Sequence, residues 1–128
     1  MRARKVDATA PALVKLARGR SKYRAIRTEV DGITFHSKRE AARYAELKML
    51  EKAKRIDALR LQPELELCVQ RHPLGPIIVG KYRADFKYWD KLAGCEVWED
   101  VKGMDTPLSK WKRKHVKAQY GIDVQIVK

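Results

Sequence analysis

The chain has no apolar run near the ~20 residues that a helix needs to cross a bilayer. In its middle, the longest is Ile77-Ile78-Val79, the size of a strand. Near the basic N-terminus, Pro11-Ala12-Leu13-Val14 is too short for the apolar segment of a signal peptide. Cysteine is scarce: Cys68 and Cys95 fall in separate predicted strands, without metal-ligand spacing. Buried, reduced thiols in a cytoplasmic protein are the expectation. No internal repeat or low-complexity tract is present. Acids are few, with 16 Asp and Glu against 29 Lys and Arg, for a net charge of +13. A surplus of that size favours a polyanionic partner, nucleic acid before an anionic membrane surface. A chain of 128 residues with 45% hydrophobic content has enough material for one domain with its own core.

Residues 1–24 are rich in Arg, Lys and Ala and read as a basic arm suited to phosphate contacts; residues 25–128 read as the folded domain. Thr28-Glu29-Val30 and Ile33-Thr34-Phe35 flank Asp31-Gly32, a strong type I′ hairpin signal. Ser37 with Glu40 three positions on is a capping box, opening a helix to about residue 54. Its apolar arc is expected at Ala42, Ala45, Met49, Leu50 and Ala53. Residues 59–69 alternate as a strand with Leu59, Leu61, Leu65 and Leu67 on one face, and Pro63 predicts an edge or bulge. A turn cluster at 71–76 precedes two further strands, 81–89 and 95–102. Thr106 as N-cap and Pro107 at the first helical position predict a second helix, ended by Gly121 and followed by a strand over 122–127. After the hairpin the expected order is helix, three strands, helix, strand.

Chemistry concentrates in the last two strands of that trio. Period-two alternation puts Val97, Glu99 and Val101 on one face and Trp98, Asp100 and Lys102 on the other. Asp100 and Lys102 thus point the same way, with Cα atoms about 7 Å apart. Asp85, on the neighbouring strand, can add a second carboxylate. Two converging carboxylates make a hard-oxygen site suited to magnesium, and a lysine beside them can position a water. Taken alone, an acid-x-Lys triplet is common on solvent-facing strands of basic proteins.

The order of elements, with Asp85 on the second core strand and Asp100-Val101-Lys102 on the third, resembles the restriction-endonuclease-like superfamily and its PD-(D/E)XK motif. The likeness covers roughly residues 23–127. The strings SKREAARYAELKMLEKA, LRLQPELEL, YRADFKY and EDVKG look like a phage and prophage family of unknown function placed in that superfamily. The layout is similar to that of Holliday-junction resolvases and transposon endonuclease subunits. Ala84 stands where the motif has proline. The resemblance implies an α/β fold, an α-β-β-β-α-β core with a mixed sheet flanked by helices, preceded here by the small hairpin. It implies that Asp85 and Asp100 bind magnesium (manganese as its substitute), that the Val101 carbonyl completes the shell, and that Lys102 serves the attacking water. Glu40 matches the acid which the superfamily often supplies from its first helix, although it also completes the capping box. The implied activity is endonucleolytic hydrolysis of DNA, selective for branched or junction structures, in phage recombination, replication or genome processing. A homodimer and a recombination or packaging protein are the partners that such a role suggests. The alternative is a non-enzymatic nucleic-acid-binding module of the same fold.

Other residues have competing readings. Gln62, in the string LRLQPELEL, either reaches a phosphate or is a solvent-facing residue before a bulge. Glu46 falls inside the expected apolar arc, where a carboxylate needs an Arg or Lys partner. Glu99 points away from Asp100 and reads as a surface or salt-bridge residue. His36 and His115 read as packing or surface histidines, and His72 has no functional case. Lys110, Lys112, Arg113, Lys114 and Lys117 crowd the second helix with no acid from 110 to 119. They are expected to face outward along a DNA backbone, while Leu108, Trp111, His115 and Ala118 pack on the sheet.

Overall fold

A computed structural model describes residues 26–128 of the chain, so the proposed basic arm lies outside the described residues. The protein is mixed α/β and divides into two compact units, one ending at Ala41 and the other Ala42–Lys128.

In the first unit, β1 (Thr28–Val30) pairs antiparallel with β2 (Ile33–Phe35). Asp31 and Gly32 both take positive φ, 54° and 77°, as a type I′ turn demands of its two central residues. Helix α1 (Lys38–Lys52), most of which belongs to the second unit, starts where Ser37 Oγ accepts the amide of Glu40 at 3.1 Å. Its buried face is not the expected arc. Ala41, Tyr44 and Leu47 are buried, while Ala42, Ala45, Met49 and Ala53 are exposed. Tyr44 and Leu47 remove far more apolar surface from water than alanines do, and that difference orients the helix.

The second unit is built on a four-stranded sheet of β3 (Ile56–Leu61), β6 (Phe86–Asp90), β7 (Cys95–Val101) and β8 (Gln125–Val127), in that order. The first three are antiparallel, and β8 runs parallel to β7 after the crossover helix α2 (Pro107–Tyr120). Thr106 Oγ1 accepts the Ser109 amide at 3.1 Å, and Gly121 closes α2 in the left-handed region at φ 74°. The last strand is shorter than the predicted 122–127.

Two predicted strands are each broken in two. The 59–69 run divides into β3 and β4 (Glu64–Arg71), and the 81–89 run into the end of β5 (Gly75–Arg83) and β6. β4 and β5 form a separate antiparallel ribbon, so the chain leaves the main sheet and returns to it at matching points. Gln62 N donates to Asp85 O at 2.9 Å, and Ala84 N to Pro63 O at 3.0 Å, which carries the pairing around the bend. Gln62 itself takes φ 51° there. Proline lacks the amide a regular ladder would require, and the bend sits where that absence costs least.

Both faces of the main sheet are covered, as in other sheets flanked by helices. Phe86, Tyr88 and Glu99 share one face, toward Arg43 of α1. On the other, Trp98 joins Leu67, Tyr82, Ala84 and Val116 of α2 in a core cluster, with Leu65, Ile122 and Val124 packed against it. Helix α2 also covers backbone groups of β4. The Tyr120 hydroxyl donates to Glu66 O at 2.6 Å, Gln119 Oε1 accepts Cys68 N at 2.9 Å, and His115 Nε2 lies 3.0 Å from Cys68 O. These bonds satisfy strand-edge groups that would otherwise invite pairing with another chain. Both cysteines are free, as expected of reduced thiols, yet Cys95 is exposed and Cys68 half-buried. No described helix is long and apolar enough to cross a membrane.

Candidate functional site

Asp85 occupies the bend between β5 and β6 and not the middle of a strand. Its backbone N donates to Glu99 O at 2.9 Å, and its Oδ2 accepts the Val101 amide at 2.7 Å. The residue is therefore tied to β7 on both sides of Asp100. Asp100 is buried, with 4% of its surface exposed. Its Oδ2 accepts the Tyr82 hydroxyl at 2.6 Å and lies 3.3 Å from Lys102 Nζ. Both contacts engage one oxygen, and among the described residues Oδ1 has no hydrogen bond. Lys102 follows the last residue of β7 and is held by its amide to Val127 O at 2.9 Å. Asp85, Asp100, Val101 and Lys102 thus meet at the end of β7, where β8 also ends and the loop to α2 begins.

Tyr82 was not legible as part of this group. It lies 18 residues before Asp100, and reaches it only because β5 packs over the Trp98 face of the sheet. Burial first, and then the Asp100 carboxylate, raise its phenol far above the ordinary tyrosine range. On the opposite face Glu99 is also buried, at 3% exposed, and is no surface residue. Arg43 grips it in a two-pronged pair, Nε to Oε1 at 2.8 Å and Nη2 to Oε2 at 2.6 Å, and the Tyr88 hydroxyl donates to the same carboxylate. The Glu99 bond raises the Arg43 pKa, and burial followed by Glu99 raises that of Tyr88. Glu46 has the arginine partner expected of it, Arg43 at 2.7 Å, but its side chain is 63% exposed and needs no rescue from burial.

Both phenols lose protons more readily in the unfolded chain, which ionises near pH ~10, than in the fold. Unfolding above that value releases protons, so stability falls as pH rises past it. Urea midpoints of the wild type should therefore drop more steeply from about pH 10 upward than those of a Tyr82→Phe/Tyr88→Phe variant. Parallel curves would show that these phenols titrate alike in both states.

Glu40 sits in the first turn of α1 with its amide capped by Ser37, and its carboxylate is buried, at 4% exposed. Gln62 is exposed at the bend, and its Oε1 accepts Arg83 Nη1 at 3.4 Å. The basic residues of α2 divide into two groups. Lys110 and Lys114 are exposed and Lys112 is half-buried. Arg113 turns inward to Asp105, with Nη1 to Oδ1 at 2.9 Å and Nη2 to Oδ2 at 2.6 Å, bracing the loop after Lys102. That bond raises the Arg113 pKa and holds Asp105 below the usual carboxylate range. Lys117 pairs with Asp123 at 2.7 Å, so acids just beyond the two ends of the helix supply what the helix lacks. Trp111, expected on the sheet, is exposed, as are Leu108 and Ala118; Val116 fills the sheet-facing position instead.

Among the described residues, no three His, Cys, Asp or Glu side chains gather closely enough to cage a metal ion. Magnesium does not require such a cage: it is commonly held by one or two carboxylates, with waters and substrate phosphate completing its shell. Asp85, through its bond from the Val101 amide, is held beside the strand end that carries Asp100. No curated protein and no solved structure matches the chain. A family model described as "Protein of unknown function (DUF1064)" matches residues 20–127, and on that match the chain belongs to the DUF1064 family.

Proposed function

We propose that the protein is a magnesium-dependent DNA endonuclease of the PD-(D/E)XK type. The observation that carries this reading is the attachment of Asp85 to Glu99 O and Val101 N, on either side of buried Asp100, with Lys102 Nζ beside that second carboxylate. The topology supports it as well. Three antiparallel strands, a crossover helix and a fourth strand parallel to the third support the α-β-β-β-α-β core that the sequence resemblance implies, taking the β4–β5 ribbon as an insertion between the first and second core strands.

Hydrolysis of a phosphodiester needs an oriented water, neutralised non-bridging oxygens and relief of charge on the leaving oxygen. Asp85, Asp100 and the Val101 carbonyl would hold the cation. When bound, magnesium supplies positive charge at the phosphate and lowers the pKa of a coordinated water. Lys102 orients the nucleophile and adds charge toward the transition state. Tyr82 occupies Asp100 Oδ2, which fixes the rotamer and leaves Oδ1 for ligation. Lys110, Lys112 and Lys114 contact the DNA backbone and give affinity without base information. Branched or junction DNA is the substrate this reading favours, in phage recombination, replication or genome processing within the bacterial cytoplasm. Two cuts per junction suit a homodimer.

A second reading, an inactive nucleic-acid-binding module, is favoured by one observation: Asp100 already has Lys102 and Tyr82 as partners, and among the described residues no three-ligand group surrounds it. Labelled linear, nicked and four-way-junction DNA, incubated with protein in magnesium or in chelator, separates the two. Cutting only in magnesium, strongest on the junction, is the expected result. Salt-sensitive binding without cutting in magnesium or manganese would leave the binding module, and cutting that survives chelator would reject the metal mechanism.

A further inference from the structure

Trp111 is 66% exposed on α2, one turn from Leu108 at 63%, with Met104 of the preceding loop at 62%. Large apolar side chains this exposed, on a helix that already buries Val116, are not spare core. Their neighbours are cationic: exposed Lys110 precedes Trp111, and exposed Lys114 follows it by one turn. Trp111 is also held in place. Its ring meets His115 edge-on, with centroids 6.4 Å apart and planes at 64°, and His115 is in turn anchored to Cys68 O of β4. An indole restrained on one side and open elsewhere, set between ammonium groups, is what an unstacked nucleobase requires: an apolar platform with phosphate contacts beside it.

We infer that Trp111 is a stacking platform for an unpaired nucleotide, with Lys110 and Lys114 taking the adjoining phosphates, so that the protein prefers nucleic acid containing single-stranded or extruded bases over plain duplex. The inference rests on the nucleic-acid reading above, but not on hydrolysis. A fully paired duplex keeps its bases stacked inside and offers Trp111 little beyond sugar and phosphate edges. Junctions, bulges and single strands offer base faces.

Fluorescence anisotropy in chelator, where no cutting intervenes, tests this with a single-stranded oligonucleotide, a blunt duplex and the same duplex carrying a bulge. Trp111→Ala should weaken binding to the single strand and bulge about tenfold, and to the blunt duplex less than about twofold. Trp111→Phe should restore most of the loss, since a smaller ring still stacks. Lys110→Ala/Lys114→Ala should weaken all three and flatten the salt dependence. Trp111 is exposed, so the variants should keep the wild-type circular dichroism. An equal loss on all three ligands, or none on any, would overturn the inference and leave this surface to a protein partner. Absence of cleavage would not touch it, whereas absence of binding to every nucleic acid would end both readings together.

Discussion

Asp100→Asn should reduce cleavage by at least about a hundredfold while leaving DNA affinity within about threefold of wild type. The substitution keeps the volume of the buried side chain and an oxygen for the Tyr82 hydroxyl, so folding is spared. What it removes is the negative charge a divalent cation needs. Affinity should persist, since the proposed function assigns it to the exposed lysines of α2. Tyr82→Phe provides the graded comparison. It frees Asp100 Oδ2 from its hydroxyl partner without altering charge, and the loss should be smaller and partly recovered by raising magnesium. Junction cleavage and anisotropy on the same preparations read both numbers. A binding loss as large as the cleavage loss would contradict this division of labour.

Arg43→Ala should destabilise the second unit by about 3–5 kcal/mol, because it abandons a buried carboxylate. Glu99 is 3% exposed and accepts two bonds from Arg43 and one from Tyr88. Without the guanidinium, its charge has only the phenol to replace water. For a domain of this size, that loss lowers the melting temperature by about 10–20 °C. The triple change Arg43→Met/Glu99→Met/Tyr88→Phe should recover most of it, since replacing an entire buried polar group with apolar volume is often neutral. A melting temperature for Arg43→Ala within about 3 °C of wild type would mean that water reaches Glu99 and solvates it. The pair also bears on the site, for Glu99 precedes Asp100 and its carbonyl holds the Asp85 amide.

The sequence by itself determined what neighbours along the chain decide. Asp31-Gly32 could make only a turn suited to positive φ, Ser37, Thr106 and Gly121 marked helix ends, and alternation separated Glu99 from Asp100 across the two faces of β7. Each of these depends on residues about four positions apart or fewer, so backbone sterics and local hydrogen bonds suffice. Tertiary structure alone decided the rest. It broke the runs around Gln62-Pro63 and Ala84-Asp85 between two sheets, turned Tyr44 and Leu47 inward in place of alanines, and left Trp111 in solvent. It also gave Asp100 a phenol 18 residues away and Glu99 a guanidinium 56 residues away. Such partners depend on which surfaces become dry when the layers close. A buried charge must find whatever donor the packing brings, and no periodicity along the chain encodes that meeting.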